Sequence, residues 1–250
     1  MNEDMKPKMI PTQNNVPYAK RGMTPDSKCE SPSQPRQTNL PIRIIIFAKA
    51  PQPGFAKTRL IAALGAQGAA DLARRMLAHT VAQALAAAVG PVELCVSPAV
   101  DDPAWQAVLP TLPDGVSWTE QGGGDLGQRM GRAVQRAQGG GAAVLLIGTD
   151  CPQLGREQLQ CAASALQHAD AALLPAFDGG YALLGLTGFD ASLFAGIAWS
   201  TDSVAAETLR RIARLGWTVE SLPMLHDIDE PADLQWLPRS WQEALEMHHV

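Results

Sequence analysis

Residues 143–152 read Ala143-Val144-Leu145-Leu146-Ile147-Gly148-Thr149-Asp150-Cys151-Pro152. Residues 143–148 carry no polar side chain. The run is far too short to span a bilayer, but it is the right length for a strand buried on both faces, as a central strand of a parallel sheet is. A carboxylate, Asp150, follows it directly. In open α/β sheets ligands bind beyond the carboxyl ends of the strands, so this one stretch suggests both an architecture and the edge where chemistry belongs.

The same pattern repeats outward in both directions. Upstream, residues 42–48 and 92–97 read as strands, and residues 116–119 as a short one. Helical periodicity covers residues 69–88, ended by Gly90 and Pro91, then 103–109 and 125–138. Downstream, residues 156–168 predict a helix, 171–176 and 181–186 strands, 203–215 a helix and 217–222 a strand, with a terminal helix opening at Pro231. Short aliphatic runs alternating with longer Ala-rich segments predict an α/β fold, with a mixed, mostly parallel sheet flanked by helices. Residues 42–250 are a normal size for one such domain. Residues 1–41 differ: they are rich in Pro, Ser, Asn, Gln and Lys, without clustered apolar residues. Such a stretch cannot bury enough surface to offset the entropy of ordering it, and a disordered leader is expected there.

Composition excludes several function classes. The net charge of the 250-residue chain is −5, with two Tyr and five Phe and no basic stripe, so the footprint of a nucleic-acid binder is missing. The leader's cations are interspersed with Glu3, Asp4, Asp26 and Glu30 and lack amphipathic periodicity, unlike an organelle-targeting segment. No apolar run approaches membrane length, so no membrane partner is expected. Cys29, Cys95, Cys151 and Cys161 show no paired spacing, which points to a reduced, cytoplasmic setting. Cys151 has no His near it in sequence to act as its base, and reads as a small buried thiol rather than a nucleophile.

Three places at predicted strand ends collect the residues that carry chemistry. The first is Lys49-Ala50-Pro51-Gln52-Pro53-Gly54-Phe55-Ala56-Lys57-Thr58-Arg59-Leu60. Two prolines and Gly54 stiffen the loop, and Lys57 and Arg59 arrive where a helix begins, in opposition to its dipole, which suits an anion site better than solvation alone. A Walker A reading fails, because Pro51 and Ala56 stand where that motif has glycines and Pro51 removes an amide donor. The glycines in Gly122-Gly123-Gly124-Asp125-Leu126-Gly127 have a dinucleotide-binding spacing, but they follow a weak short strand rather than the first strand. They permit a close backbone approach, with Asp125 placed to cap the next helix and Arg129 one turn in.

The second place is Asp150, for which two roles are open: ligand of a hard divalent cation, and Asx turn or cap before Pro152. The third comprises Asp178-Gly179-Gly180-Tyr181 between two strands and His226-Asp227-Ile228-Asp229-Glu230-Pro231 after the last. Asp178 is either the start of an Asp-Gly turn or a carboxylate on the acceptor side of a site, where Gly179 and Gly180 let a substrate approach the backbone. Asp229 suits a helix cap, yet with Asp227 it puts excess acid at a strand end, where a cation or donors must offset the repulsion.

Read in order, Phe47-Ala48-Lys49-Ala50-Pro51 through Lys57-Thr58-Arg59-Leu60, then Gly124-Asp125-Leu126-Gly127-Gln128-Arg129-Met130, Gly148-Thr149-Asp150-Cys151-Pro152, Asp178-Gly179-Gly180-Tyr181 and residues 227–234 resemble the motifs of a bacterial GT-A-like glycosyltransferase family of the nucleotide-diphospho-sugar transferase superfamily, sometimes labelled an arsenosugar-biosynthesis glycosyltransferase. The resemblance covers nearly everything after the leader. It implies a GT-A fold, a nucleotide-sugar donor, a small-molecule acceptor, and Mg or Mn as cofactor. By the same resemblance Asp150 is the metal aspartate and Asp229 the second ligand, with Asp227 beside it as a further metal-ligand candidate, and Lys57 and Arg59 are the phosphate holders. The 57–60 loop is also similar to one in guanylyltransferases that activate phospholactate, and the plan to that of molybdenum-cofactor nucleotidyltransferases. The Asp-x-Asp of many GT-A enzymes is reduced here to Thr149-Asp150-Cys151-Pro152. Two alternatives to glycosyl transfer therefore stand beside it: a nucleotidyltransferase activating a small phosphorylated metabolite with a nucleoside triphosphate, and a non-catalytic nucleotide-binding module.

Overall fold

The structure, a computed structural model, describes residues 40–106, 108 and 112–247. All of the expected leader but Leu40 and Pro41 lies outside the described residues. Seven strands are present among the described residues: β1 (Ile42–Lys49), β2 (Val92–Ser97), β3 (Val116–Glu120), β4 (Ala143–Ile147), β5 (Ala171–Pro175), β6 (Tyr181–Leu186) and β7 (Val219–Ser221). They form one sheet in the order β3-β2-β1-β4-β6-β5-β7. β6 runs antiparallel to both of its neighbours, while the β1–β2, β1–β4, β2–β3 and β5–β7 pairs are parallel. The expected mixed, mostly parallel α/β domain is what the chain forms.

Every residue of β4 is buried, between β1 and β6, as its unbroken apolar sequence requires. Its side chains alternate between two cores. Ala143, Leu145 and Ile147 join a cluster with Leu77, Val81 and Ala84 of α1 (Ile61–Ala87) and Leu159 and Ala162 of α3 (Arg156–Ala165). Val144 and Leu146 join the opposite cluster, with Met130, Ala133 and Val134 of α2 (Leu126–Gln138) and Ile212 of α4 (Val204–Arg214). Each large aliphatic side chain so buried contributes about 1.5–3 kcal/mol, which favours this three-layer arrangement over solvent exposure of either sheet face. Glu93 is the charged exception in β2. It is 3% exposed and is satisfied by Arg136, by Thr119 Oγ1 at 2.7 Å and by Arg43 at 3.5 Å.

Three elements differ from the sequence reading by more than a shift of up to three residues at an end. α1 starts at Ile61 rather than near residue 69, but it is interrupted at Gly65, whose φ of 70° and ψ of 165° are not helical. The Ala-rich periodicity therefore marked only the portion after the kink. The helix expected at 103–109 is a 3-10 turn over Pro103–Trp105. The terminal helix is split into a 3-10 segment, Pro231–Trp236, and α5 (Arg239–Met247). Leu237 between them has an extended ψ of 151° because Pro238 disfavours the helical region for the residue before it. Ile228, Leu237 and Trp241 pack with Leu72 and Met76 of α1 in a third cluster, which anchors the end of the chain beside the first loop.

Candidate active site

A cavity of about 950 Å³ opens at the carboxyl edge of the parallel strands. Its walls come from the segments after β1, β3, β4 and β5 and from the chain beyond β7. Of the residues expected at a site, Lys57, Arg59, Asp125, Arg129, Asp150, Asp178, Gly180, Asp227 and Asp229 all line it. Gly54 and Gly179 are not in its lining. Gly54 has a φ of 82°, with open space where a Cβ would stand, so it serves the turn itself. Gly179 has a φ of 88°, and a Cβ there would meet the Asp202 carbonyl oxygen at 2.2 Å; it packs the 178–180 turn onto the segment before α4.

Backbone bonds build the floor. The chain leaving β7 continues along β5, with Leu225 N donating to Pro175 O at 3.0 Å and Phe177 N to Leu225 O at 3.1 Å. It then crosses to the end of β4, where Ile228 N donates to Asp150 O at 2.8 Å. That bond brings Asp229 and Asp150, far apart in sequence, to one ammonium. Lys57 Nζ lies 2.5 Å from Asp150 Oδ1 and 3.7 Å from Asp229 Oδ1, and donates to Ile228 O at 2.6 Å. The Lys57 side chain is only 7% exposed. Arg59 completes the cluster through Asp229 Oδ2 at 3.0 Å and Glu230 Oε1 at 3.3 Å. The two cations expected to meet phosphate are thus paired with acids in this structure.

Asp178 and Asp227 make a second acidic pair, without a salt bridge to any cation among the described residues. Burial, and then the charge of Asp178, push the Asp227 carboxyl above the usual carboxylate range. Asp178 Oδ1 accepts from Gly180 N at 2.7 Å, an Asx-type turn that fixes the carboxylate and leaves its second oxygen outside that bond. Cys151, in the same wall, has its thiol pushed well up by burial and by the nearby carboxylates of Asp150 and Asp227. A thiol held protonated is a poor nucleophile, in agreement with the buried-thiol reading.

On the opposite wall, Asp125 caps α2 as expected. Its side chain accepts from Gln128 N at 2.8 Å while Gln128 Oε1 accepts from Asp125 N at 3.1 Å, a complete capping box. Arg129 Nε donates to Gly124 O at 2.8 Å. Arg129 and Lys49 both line the cavity with no salt bridge to a described carboxylate, so their charge is available to an anion. The close approach foreseen for the glycine cluster is made at Gly127, where a Cβ would stand 2.2 Å from Phe194 O and 2.9 Å from Trp199 Nε1.

Two parts of the wall escaped the sequence reading. Gln121 is 5% exposed, and its Nε2 donates to Ala48 O and Cys95 O, both at 3.0 Å. Both amide hydrogens are used, so what Gln121 can offer a ligand is its carbonyl oxygen. The signal was present, an amide just beyond a strand, but β3 is short and half-exposed. Residues 199–202 also line the cavity. They follow β6, whose carboxyl end points to the opposite edge because the strand is antiparallel, so an inspection of strand ends passes over them.

Fold and wall together define an α/β protein with a ligand cavity at the carboxyl edge of a mostly parallel sheet. The family described as "Uncharacterized protein conserved in bacteria (DUF2064)" matches residues 80–201. A crystal structure described as a "putative nucleotide-diphospho-sugar transferase" from Desulfovibrio desulfuricans G20 is 34% identical, covering 83% of this chain and 94% of that one, with a TM-score of 0.75. At that identity and coverage, the chain belongs to the same family as the Desulfovibrio protein. The 4-diphosphocytidyl-2C-methyl-D-erythritol synthase from Anaerococcus prevotii DSM 20548 is 12% identical over 84% of this chain and 96% of that one, with a TM-score of 0.50, a likeness of fold alone. A manganese complex of Rv0371C from Mycobacterium tuberculosis H37Rv also matches, at 18% identity over 78% and 96% of the two chains and a TM-score of 0.45, too distant to bear on a metal in this chain. No curated protein matches.

Proposed function

We propose that the protein is a metal-assisted glycosyltransferase that moves a sugar from a nucleotide-diphospho-sugar to a small-molecule acceptor. The observation that carries this reading is the meeting of Lys57, Asp150 and Asp229 in one wall of a 950 Å³ cavity at the sheet's carboxyl edge. The description of the Desulfovibrio relative supports the donor class. The cytoplasm is the proposed location, in keeping with Cys95 and Cys151 as buried thiols; no helix among the described residues is long and apolar enough to cross a membrane.

The donor set fits a hard divalent cation. Asp150 Oδ1, Asp229 Oδ1 and Ile228 O already surround one positive centre, the Lys57 ammonium. Among the described residues no three acidic, His or Cys side chains converge as a closed metal cage would require. Mg or Mn, by contrast, take one or two carboxylates and leave the remaining positions to water and substrate phosphate. Asp150 and Asp229 would hold it, and when bound it would neutralise charge building on the diphosphate leaving group.

The protein's own residues supply the rest. Arg129 and Lys49, with Lys57 and Arg59, place positive charge around the diphosphate. Asp178 takes the proton of the acceptor hydroxyl as its oxygen bonds to the anomeric carbon and the bond from that carbon to the phosphate oxygen breaks, releasing the nucleoside diphosphate. Asp227, next to Asp178, belongs to this proton-handling side of the wall. An acceptor bearing arsenic enters any acceptor panel on the strength of the sequence resemblance alone.

A thermal-shift panel of nucleoside diphosphates, nucleotide sugars and nucleoside triphosphates, each with and without Mg or Mn, tests the proposal. A nucleotide sugar with metal is expected to give the largest stabilisation, of about 2–4 kcal/mol at hundredfold to thousandfold excess over Kd. A selective shift by a triphosphate, with release of pyrophosphate, would replace glycosyl by nucleotidyl transfer. Binding without turnover across the acceptors would leave a nucleotide-binding module.

A further inference from the structure

Lys57 adopts a left-handed backbone, with φ 47° and ψ 49°. A non-glycine residue stays in that region only where its surroundings over-determine it. Here the conformation accompanies a side chain directed inward, 7% exposed, whose ammonium is within hydrogen-bond distance of Asp150 Oδ1 at 2.5 Å and Ile228 O at 2.6 Å, with Asp229 Oδ1 farther off in an ion pair at 3.7 Å. Those oxygens come from three separate positions, and two of them are the carboxylates that the proposed function assigns to a divalent cation. A divalent cation drawn to the same two carboxylates would meet the Lys57 ammonium at close range, and the two positive charges repel, so each weakens the other's hold on the pair. Arg59, in contrast, holds the other oxygen of Asp229, so that carboxylate keeps its orientation whichever cation occupies its Oδ1 side.

We propose that Lys57 is the resident counter-cation of the Asp150–Asp229 pair and that a divalent cation binds by displacing its ammonium, which then becomes available to the substrate diphosphate. This inference rests on the metal-assisted reading above. It makes metal and phosphate binding mutually reinforcing: the ion frees the charge that the phosphate needs, and phosphate on Lys57 keeps the carboxylates open to the ion. No large movement is needed, since the ammonium ends a flexible four-carbon stem.

Titration calorimetry of the full chain with Mn²⁺ alone tests it. Removing the competing ammonium in Lys57→Met is expected to tighten Mn²⁺ binding roughly tenfold. Lys57→Gln is expected to do the same and replaces the first variant should that one fail to fold. Parent protein gives an independent readout: labelling of Lys57 by an amine-reactive ester, read by mass spectrometry, is expected to rise several-fold on saturation with Mg²⁺. Mn²⁺ binding by the parent that the Lys57 variants leave unchanged or weaken overturns the inference and leaves the metal-assisted reading standing, as does Lys57 labelling that Mg²⁺ does not alter. Absence of Mn²⁺ binding in parent and variants alike overturns both.

Discussion

Two pairs of aspartates share one cavity wall and live in opposite electrostatic circumstances. Asp150 and Asp229 meet the Lys57 ammonium, and Asp229 also meets Arg59. Asp178 and Asp227 meet each other, with no salt bridge among the described residues, and the Asp227 carboxyl is pushed up by burial and by its neighbour. The difference separates two tasks within a few residues. A carboxylate pair already neutralised by cations is built to hold positive charge, whereas at the pair lacking cations burial and the charge of Asp178 raise the affinity of Asp227 for a proton.

The comparison breaks first at Asp150. Asp150→Asn removes one acceptor from the cation-holding pair, so the rate of transfer is expected to fall roughly a hundredfold and the Mg or Mn concentration for half activity to rise. Turnover measured across a metal titration checks this. A folded variant with the parent's rate and metal dependence would make Asp150 a turn residue.

A smaller effect is expected on the other pair. Asp178→Asn keeps an oxygen to accept from Gly180 N, so the turn should survive while the proton acceptor is lost. Turnover at saturating donor is expected to fall about tenfold to a hundredfold, within or below the usual range for general-base removal, without a change in the metal requirement. Steady-state kinetics with varied acceptor and varied metal separate the two pairs. Unaltered acceptor kinetics would return Asp178 to the turn alone.

The smallest expected effect is on stability. The folded-state pKa of Asp227 lies above its unfolded value, so the folded chain binds this proton more tightly, and the residue's unfavourable contribution is absent in acid and grows as pH rises through the raised pKa. Asp227→Asn is therefore expected to melt above the parent at neutral pH, by no more than about 1 kcal/mol because the carboxyl is partly exposed. The gap should close as the pH falls below the usual Asp range. Thermal melts of both proteins at several pH values check the sign; a variant less stable than the parent at neutral pH would show that the amide hydrogen bonds at Asp227 outweigh its repulsion from Asp178.

Much of this wall could be read before any fold was known. The unbroken apolar run of β4 fixed a central strand, and Asp150, Asp178, Asp227 and Asp229 were each conspicuous as acids beside strand ends. Asp125 announced its cap as an acid just ahead of a helical run, and the structure adds Gln128 three residues on as the other half of a capping box. These signals are legible because strand burial, helix period and capping act over a few residues, within reach of a pattern along the chain. The kink at Gly65 and the break at Leu237 had local causes too, in a glycine and a following proline, but the periodicity of the flanking segments masked them.

What sequence could not supply was the partner of each charge. Lys57 read as a phosphate holder by its loop, yet it donates to Ile228 O, 171 residues away, and sits between two carboxylates brought together by the bond from Ile228 N to Asp150 O. The glycine cluster announced a close backbone approach without naming what approaches, which is the Phe194 carbonyl at Gly127, and Gln121 joined the wall only because β1 and β2 present carbonyls to its amide. Sequence by itself determined the order of elements, the all-apolar central strand and the acids at its edge, because those follow from short-range propensity and burial. Tertiary structure alone decided which acids are neutralised and which are not. A charge interacts according to distance and dielectric, and both are set by how distant segments pack, not by their neighbours along the chain.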